Sequence, residues 1–587
     1  MNEYILGLNF GHDATVVLMK DGEIVEAMME ERQTKVKKYI GFPHQALAYL
    51  KEKYDITEFP YVFVDALETG IHIINTKEDV VTYRKNFPDG RRFKKAILAL
   101  TRASEIVYKV KDSINAIRFT MRGGKGIISD FLKKEFPNST IINVPHHLSH
   151  AWAALPFVGD IEKRRLIITL DGEGDNLCGS INLYENNGIK VLHEFSNIHS
   201  LGLLYASVVD LLGMTRNEHE FKVMGLAPYA KASSGEKVYK KLNELLWFDA
   251  EKMELQSTID MRRATSYLMA HDFHQYRFDS LAYGIQKLTE QIISEMVLAA
   301  IAKYKCADIA VGGGVFMNVK ANQCVRELVE VKSLVVPPSC GDESIAIGNA
   351  VYGHYLLNNK TLEGLKQIKN LYLGSSWTDE EVKAAIAAYD FGTLETEVTY
   401  FDSEKGESIE QKVAEILSQN SVVGRSKGRA EWGARALGNR SILANPTSRE
   451  NVKLINEMIK GRDFWMPFAT SLLYERRNDY LVDADTYLAP FMAITFKTKP
   501  KAHTDLIAAL HPYDFTSRPQ MVEKGTNPEY HALISHFEKL TGVGGILNTS
   551  FNLHGEPNVE TPADAIRTFA LSGLPYLAVG NYLLKKV

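Results

Sequence analysis

The chain has 587 residues, of which 45% are hydrophobic and 24% are charged. This length exceeds what one hydrophobic core can cover, so we expect three or four folding units. The composition excludes collagen-like, disordered and disulfide-framework proteins, and the net charge of −4 gives no overall attraction to nucleic acid or to anionic membranes.

Cysteine spacing and apolar runs bear on the cellular location. The 4 cysteines never fall within a CxxC spacing, so a thiolate zinc site is not expected. They are too few to crosslink a chain of this length, which is typical of a reducing cytoplasm. The N-terminus lacks the pattern of a secretory signal, and no uncharged apolar run reaches the roughly 18 residues that a membrane span needs. We therefore predict a soluble, cytoplasmic protein with no membrane partner.

The chain opens with two apolar runs, residues 4–9 and 14–18, and an Asp-Gly turn leads to a third at residues 23–27. Apolar runs joined by an Asp-Gly turn predict a β-hairpin. The pattern of strand, acidic glycine turn and strand returns at residues 166–184. Two such units are what a duplicated actin-like α/β fold requires, one in each half.

A basic stretch covers residues 84–125, where lysine and arginine exceed acidic residues by 9, so the rest of the chain carries −13. A solvated helical face is one interpretation of this stretch. The alternative is a docking surface for an anionic acceptor or a nucleic acid.

Three histidines fall within five positions, at His146, His147 and His150. His146 and His150 are four apart, so on a helix they share a face and can bind one metal ion, whereas His147 points elsewhere. Strand-end carboxylates are the natural further ligands, and Asp171 and Asp342 qualify. Two imidazoles with oxygen ligands favour iron, zinc or manganese over calcium. The alternative is a polar turn that satisfies all three histidines.

Glycines that follow an apolar strand at residues 312–314 suggest a phosphate-binding loop, because they let backbone N–H groups approach an anion at a helix N-terminus. Gly313, Gly314 and Asn318 are therefore candidate nucleotide-binding residues. Farther upstream, Lys222 could neutralise a phosphate, and Glu220 could orient it or take a proton. The alternatives are ordinary tight turns and an exposed helix end.

Residues 424–441 hold five arginine or lysine residues interleaved with four glycines. Arginine forks bind phosphate or carboxyl oxygens bidentately, and glycine keeps the backbone close to a ligand. Residues 460–465 and Arg518 add further cations. We predict a polyanion pocket for two phosphate-bearing ligands, with a polar loop at a strand end over residues 548–557.

Together these motifs resemble the nodulation-type O-carbamoyltransferases, the family of the tobramycin and cephalosporin carbamoyltransferases. The resemblance spans nearly the whole chain. It is carried by residues 11–14, 146–151, 170–172, 222–229, 312–315, 341–342, 428–431, 435–441 and 547–552.

The resemblance implies two domains. Residues 1–357 would form an actin-like (ASKHA) domain, with halves of about 1–164 and 165–357, similar to the tRNA threonylcarbamoyl-adenosine synthase family. Residues 358–587 would form a YrdC-like α/β domain. There, carbamoyl phosphate and ATP with Mg²⁺ would give carbamoyl-adenylate and pyrophosphate. The carbamoyl group would then pass to an acceptor hydroxyl in the first domain, beside a ferrous ion or another divalent transition metal.

The resemblance also implies site residues. The family's metal ligands fall on His146, His150, Asp171 and Asp342. Its pocket for carbamoyl phosphate and ATP, the donor pocket, falls on a set of mostly cationic side chains: Arg429, Arg435, Asn439, Arg440, Ser441, Lys460, Arg462 and Arg518. We add Glu431, Asn548 and Asn552 to this predicted pocket. This sequence departs from the family pattern at Met466, where an arginine is usual, and this removes one pocket cation. It also departs at Ala434, Thr470, Phe515 and Pro519.

The chemistry favours activation before transfer. Carbamoyl phosphate decomposes in water and an alcohol is a poor nucleophile, so a mixed anhydride shielded from solvent solves both problems. His12 or Asp13 is the predicted base for the acceptor hydroxyl, with Lys222 and Glu220 as further catalytic candidates. We predict an ATP-dependent O-carbamoyltransferase for a small hydroxylated acceptor.

Alternatives to this prediction remain open. A nucleotide or nucleic-acid hydroxyl could be the acceptor. A protein of another class, an ATP-binding actin-like sensor without carbamoyl chemistry, is also an alternative. A homodimer is one alternative for the oligomeric state.

Overall fold

The computed structural model describes residues 4–65, 124–402 and 405–587, and the chain folds as a mixed α/β protein. The basic stretch 84–125 lies outside the described residues, apart from its last two positions. Its role therefore stays a prediction. No helix in the described ranges is long and apolar enough to span a bilayer.

Seven strands lie within residues 4–143 of the described chain: β1 (Tyr4–Asn9), β2 (Gly11–His12), β3 (Thr15–Lys20), β4 (Glu23–Met29), β5 (Ile40–Gly41), β6 (Tyr61–Asp65) and β7 (Thr140–Asn143). Five of them form a sheet in the order β4-β3-β1-β6-β7, and β2 pairs with β5. The pairs β1–β3 and β3–β4 are antiparallel, whereas β1–β6 and β6–β7 are parallel.

The next part of the chain repeats this arrangement. Its strands are β8 (Arg165–Gly174), β9 (Leu177–Glu185), β10 (Gly188–Ser196), β11 (Leu246–Asp249), β12 (Glu254–Ser257), β13 (Asp308–Gly312) and β14 (Ser333–Val335). The sheet order is β10-β9-β8-β13-β14, again with two antiparallel pairs followed by two parallel pairs, while β11 and β12 pair separately. The two matching strand orders agree with the predicted duplication.

Tight turns of one kind join the antiparallel strands of both sheets. Asp21 and Gly22 connect β3 to β4 with φ angles of 49° and 76°, and Asp175 and Asn176 connect β8 to β9 with φ angles of 54° and 64°. Two successive residues with positive φ match the right-handed twist of paired strands. Glycine, aspartate and asparagine tolerate this conformation at low cost.

Helices cover the sheets. Those in the first 357 residues are α1 (Glu30–Thr34), α2 (His44–Tyr54), α3 (Gly124–Glu135), α4 (His146–Ala153), α5 (Leu201–Leu211), α6 (Glu220–Leu226), α7 (Ala232–Asn243), α8 (Ala264–Ala270), α9 (Phe278–Tyr304), α10 (Val319–Glu327) and α11 (Ile345–Leu357). Helix α11 packs closely against both β1 and α4. A Cβ atom on Gly7 would lie 2.1 Å from the Ala346 carbonyl oxygen, and one on Gly348 would lie 1.9 Å from the Ser149 carbonyl oxygen. Glycine at these two positions therefore fixes where α4 lies.

An eight-stranded mixed sheet forms the C-terminal part, with order β15-β22-β21-β16-β17-β20-β18-β19. Its strands are β15 (Thr396–Tyr400), β16 (Val423–Ser426), β17 (Arg440–Ala444), β18 (Ala469–Leu473), β19 (Pro519–Val522), β20 (Gly545–Ser550), β21 (Tyr576–Val579) and β22 (Tyr582–Lys586). The helices are α12 (Asp379–Ala388), α13 (Ile409–Ser418), α14 (Glu450–Ile455), α15 (Arg477–Tyr480), α16 (Ala502–Asp505), α17 (Pro528–Thr541) and α18 (Pro562–Leu571). A π-helical turn at Asn456–Lys460 follows α14.

Ion pairs join the C-terminal part of the chain to strands and helices of the N-terminal part. Their N–O distances are 2.9 Å for Arg429 with Glu26, 3.5 Å for Arg32 with Glu560, 3.1 Å for Lys222 with Asp463 and 2.5 Å for Lys320 with Asp514. A backbone hydrogen bond of 3.0 Å from Ala27 on β4 to the Leu373 carbonyl adds to them. The predicted domain limits of 1–357 and 358–587 stay predictions.

Candidate active site

Two histidines of α4 converge with Asp171 of β8 and with Asp342, which follows β14. One donor atom from each of His146, His150, Asp171 and Asp342 lies within 4.8 Å of the other three. The His146 and His150 Nε2 atoms are 3.2 Å apart, and His150 Nε2 lies 3.5 Å from Asp171 Oδ2 and 3.6 Å from Asp342 Oδ1. Two imidazole nitrogens and two carboxylate oxygens at this spacing fit a divalent transition metal ion.

Helix α4 presents the two imidazoles to the cluster. His146 Nδ1 lies 2.9 Å from the buried Asp65 carboxylate at the end of β6, so its Nε2 faces the other ligands. Burial alone would lower the pKa of His146, but Asp65, Asp342 and Asp171 raise it to about 10. His147 points away, as predicted from its position on the helix, and its Nδ1 contacts Thr169 at 3.1 Å.

The predicted glycine loop contacts a metal-site carboxylate. The Gly314 N–H donates to Asp171 Oδ2 at 2.5 Å. Gly313 has a φ of 89°, and a Cβ atom there would lie 2.3 Å from the Leu170 carbonyl oxygen, so only glycine fits. Asn318 caps α10 by accepting from the Ala321 N–H. These residues thus orient Asp171 and begin a helix in this structure.

Beside the cluster lies a second group of charges. Asp13 Oδ2 is 2.7 Å from His12 Nδ1 and 3.0 Å from Lys38 Nζ. The Asn9 side-chain amide donates to the carbonyls of His12 at 2.7 Å and of Asp342 at 3.0 Å, which holds this group against the metal cluster. Burial would lower the pKa of His12, yet Asp13 raises it to about 9, and Lys38 and His12 lower the pKa of Asp13 despite its burial.

Replacing Asp13 with asparagine is expected to bring the pKa of His12 below 6.5, because burial and Lys38 both lower it once the carboxylate is gone. In the wild type the His12 contribution to stability is complete below pH 6.5 and is lost as the pH rises through about 9. Histidine-selective NMR titration measures the pKa directly. A His12 pKa that stays near 9 in Asp13→Asn would contradict this account.

The two candidates on α6 lie where the two parts of the chain meet. Lys222 Nζ pairs with Asp463 Oδ2 at 3.1 Å, and its carbonyl accepts from Trp465 Nε1. Glu220 accepts the Asn217 N–H at 2.7 Å, and burial raises the pKa of its carboxyl. Lys222 is thus paired with a carboxylate, and Glu220 begins the helix.

Four of the predicted donor-pocket cations form a mutually repelling group that we call the cation cluster: Arg435, Lys460, Arg462 and Arg518. Burial and then Arg435 lower the pKa of Arg462 to about 10, and burial, Arg435 and Arg462 hold that of Arg518 well below its usual range. Burial, Arg462 and Lys37 lower the pKa of Lys460 strongly. In the described part of the chain, neither Arg462 nor Arg518 has a carboxylate partner within 4.0 Å.

The amino group of Lys460 is oriented by β20 and the loop that follows it. It donates to Asn552 Oδ1 at 2.5 Å and to Ser550 Oγ at 3.1 Å. Both acceptors are uncharged, so neither of them neutralises a positive charge on Lys460. The cation cluster suits a polyanion such as a triphosphate.

The other predicted donor-pocket residues hold loops in place. Arg440 donates to the carbonyls of Gly428, Asn439 and Glu560, and Arg429 donates to three carbonyls and to Glu26. Glu431 accepts the N–H groups of Leu437, Asn439 and Arg440. The Asn439 side chain donates to the Arg429 carbonyl, and the Asn548 side chain donates to the Ala436 carbonyl. The Ser441 hydroxyl accepts the Gly438 N–H. These six residues therefore hold the backbone of neighbouring loops, which distinguishes their contacts from those of the cation cluster.

One short segment, residues 339–344, touches both sites. Asp342 belongs to the metal cluster, while the neighbouring Glu343 is the main charge that supports a protonated Arg435. Ser339 accepts the Ala434 N–H at 3.2 Å and donates to Glu343. The C-terminal part thus holds the segment that carries a metal-site carboxylate.

Comparison with known proteins identifies the family. The sequence model described as "Carbamoyltransferase N-terminus" matches residues 4–351, and the one described as "Carbamoyltransferase C-terminus" matches residues 414–586. The chain belongs to the carbamoyltransferase family. It is therefore a transferase, and carbamoyl transfer is its reaction.

Two relatives match nearly the whole of this chain. An uncharacterized protein of Methanocaldococcus jannaschii is 30% identical, over 99% of this chain and 100% of its own length. Nodulation protein NolNO of Sinorhizobium fredii is 29% identical, over 100% of this chain and 80% of its own length.

Solved structures give weaker matches. Component A of the (R)-2-hydroxyglutaryl-CoA dehydratase of Acidaminococcus fermentans covers 60% of this carbamoyltransferase and 97% of its own chain at 13% identity, with a TM-score of 0.31. T. kodakarensis HypF covers 62% of this chain and 50% of its own at 12% identity, with a TM-score of 0.32.

Three charged residues at the carbamoyltransferase site were missed by the sequence analysis: Asp65, Lys38 and Glu343. Asp65 ends an apolar run, so the rule that picks strand-end carboxylates could have found it. Lys38 has a φ of 54° in an irregular segment, and Glu343 acts through contacts remote in sequence. No local sequence signal identifies either of them.

Proposed function

We propose that the chain is an ATP-dependent O-carbamoyltransferase with two chemically distinct sites. Carbamoyl-adenylate forms at the cation cluster, and its carbamoyl group passes to an acceptor hydroxyl beside the His146, His150, Asp171 and Asp342 cluster. The observation that supports this proposal most directly is the segment 339–344, in which the metal-site carboxylate of Asp342 is followed by Glu343, the carboxylate that most favours a charged Arg435. Neighbouring sites let a labile intermediate react before water reaches it.

Atom balance defines the activation step. Water releases phosphate from carbamoyl phosphate and leaves carbamate, whose oxygen attacks the α-phosphorus of ATP and displaces pyrophosphate. Arg435, Arg462 and Arg518 repel one another, so a bound triphosphate relieves an existing electrostatic cost as well as forming new charge-assisted hydrogen bonds. Lys460, fixed by Ser550 and Asn552, would hold a phosphate oxygen from the side of β20. Mg²⁺ would accompany the ATP.

The transfer step joins the acceptor oxygen to the carbamoyl carbon and releases AMP. Two imidazoles and two carboxylates would hold Fe(II) or another divalent transition metal, which supplies Lewis-acid polarisation of an oxygen when bound. Asp342 is one of the charges that raise the pKa of His12. Neutralising Asp342 lowers that pKa, which brings His12 closer to the neutral form that a base for the hydroxyl proton needs. Asp13 orients His12 through Nδ1.

The proposal extends to fold and acceptor. The two sheets of matching order support an actin-like N-terminal domain, and we assign the C-terminal sheet to a YrdC-like domain. The acceptor is a small hydroxylated molecule. The net charge of +9 at residues 84–125 favours a nucleotide or nucleic-acid hydroxyl as the second candidate. Steep loss of polynucleotide binding with rising salt would support that second candidate.

Product analysis tests the proposal. The purified protein with Fe(II), Mg²⁺, ATP and carbamoyl phosphate should exchange labelled pyrophosphate into ATP only when carbamoyl phosphate is present. Mass spectrometry with a panel of hydroxylated metabolites and nucleotides should then find one acceptor heavier by one carbamoyl group, with AMP formed in equal amount. ADP instead of AMP, or exchange without carbamoyl phosphate, would reject the adenylate route.

A further inference from the structure

A buried carboxylate lies behind the metal cluster and contacts only one of the two histidine rings. Asp65 ends β6 at 5% exposure, and its Oδ2 lies 2.9 Å from His146 Nδ1, with both side chains buried. Strand β6 pairs with β1 and β7 in parallel, so this carboxylate sits on the rigid sheet.

The contact decides which nitrogen of His146 carries the proton. A carboxylate can only accept, so in the neutral ring that binds a metal Nδ1 is the N–H that faces Asp65, and the Nε2 lone pair then points at His150 and Asp342. His150 differs, since its Nδ1 faces the Ser344 hydroxyl at 3.3 Å, and a hydroxyl can donate or accept. The contact with Asp65 thus fixes the tautomer of His146. The contact with Ser344 allows either tautomer of His150, so a bound metal ion would select it.

We propose that Asp65 is the positioning residue for the metal site: it fixes the tautomer and ring orientation of His146 so that Nε2 is a preformed ligand for a divalent metal ion. This inference rests on the proposed metal site. A carboxylate behind an imidazole ligand also raises the ligand's basicity, and loss of such a partner typically costs about 10- to 100-fold in metal affinity. Ser344 is expected to matter less, because its hydroxyl selects neither tautomer.

A second aspartate supplies a matched control. Asp175 Oδ2 accepts the backbone N–H of the same His146 at 2.8 Å, so it supports the start of helix α4 through the backbone. Asp175 has a φ of 54°, a conformation that asparagine also tolerates. Asp65→Asn and Asp175→Asn therefore remove the same charge near one residue, the first at a contact with the His146 ring and the second at a contact with its backbone.

The test measures metal affinity on the full-length protein, with Co²⁺ as a spectroscopic probe and Fe²⁺ by competition. Asp65→Asn should bind Co²⁺ about 10- to 100-fold more weakly than the wild type and shift the visible absorption band, whereas Asp175→Asn should keep the wild-type affinity and band. Histidine-selective ¹⁵N NMR of the metal-free proteins, recorded at a pH at which the His146 ring is neutral, should show mixed tautomers of His146 only in Asp65→Asn. Thermal melts exclude unfolding as the cause.

The outcomes separate the inference from the proposed function. If the wild type binds Co²⁺ and Asp65→Asn binds it equally well, the positioning role is wrong while the metal site stands. If both aspartate variants lose affinity together, the carboxylates act through the fold and the inference fails. If the wild type binds no divalent metal, the proposed metal site itself fails.

Discussion

Exchange of pyrophosphate into ATP is expected to fall by about 100-fold or more when Arg518 is replaced by methionine, because a buried charge that contacts developing phosphate charge contributes roughly 3–4 kcal/mol. The same substitution should raise the thermal stability of the ligand-free protein. Burial and the neighbouring Arg435 and Arg462 hold the pKa of Arg518 well below its usual range, so the charged form is disfavoured without an anion. Loss of function with a gain in stability is the signature of a ligand-binding cation.

Exchange assays and calorimetric melts with and without ATP check this result. ATP should raise the melting temperature of the wild type and leave Arg518→Met unchanged. Arg476→Met is the matched control, because Arg476 pairs with Glu538 at 2.6 Å on the surface and should keep full exchange. Arg440→Met should instead lower stability, since its guanidinium bonds backbone carbonyls. Full exchange in Arg518→Met would place the ATP site elsewhere.

Replacement of His150 by alanine is expected to lower the rate of acceptor carbamoylation by about 100-fold or more. The rate of ATP–pyrophosphate exchange should stay within about twofold of the wild type. His150 is fully buried, and its Nε2 lies within 3.6 Å of one donor atom from each of the other three ligands, so its loss removes a central ligand of the cluster. Asp342 is a poorer choice for this test, because its neighbour Glu343 interacts with Arg435 and a change there could disturb adenylation.

Quantification of carbamoylated product by mass spectrometry, together with the exchange rate, measures both steps. His147→Gln is the control, since His147 lies on the same helix but contacts Thr169. It should bind metal and transfer the carbamoyl group at near the wild-type rate. If His150→Ala loses both activities while remaining folded, the division of labour between the two sites is wrong.

The sequence predicted those features that depend on residues close together in the chain. The spacing of His146 and His150 on one helix face is a property of one segment, and the position of Asp171 directly after an apolar run is a property of another; the structure places these residues together. The repeated strand and turn pattern likewise follows from residues that tolerate positive φ. Neither requires knowledge of distant contacts.

Local sequence patterns could not predict which arginines hold the backbone and which lie in the cation cluster. A guanidinium donates equally well to phosphate oxygens and to backbone carbonyls, so composition could not distinguish Arg440, which bonds carbonyls, from Arg462, which lies in the cation cluster. The difference depends on which loops meet, and that is a tertiary property. Glu343 and Lys38 were missed for the same reason.

The segment 339–344 also limits how freely such enzymes can be recombined. Its backbone carries a metal-site carboxylate on one side, and on the other it contacts Ala434 and faces Arg435 from the C-terminal part. A chimera that joins the first part of this chain to the second part of a relative therefore has to carry residues 339–344 and 433–435 as one inherited unit. Modular exchange at the predicted boundary near residue 357 would separate Ser339 from Ala434, to which it is hydrogen-bonded, and Glu343 from Arg435.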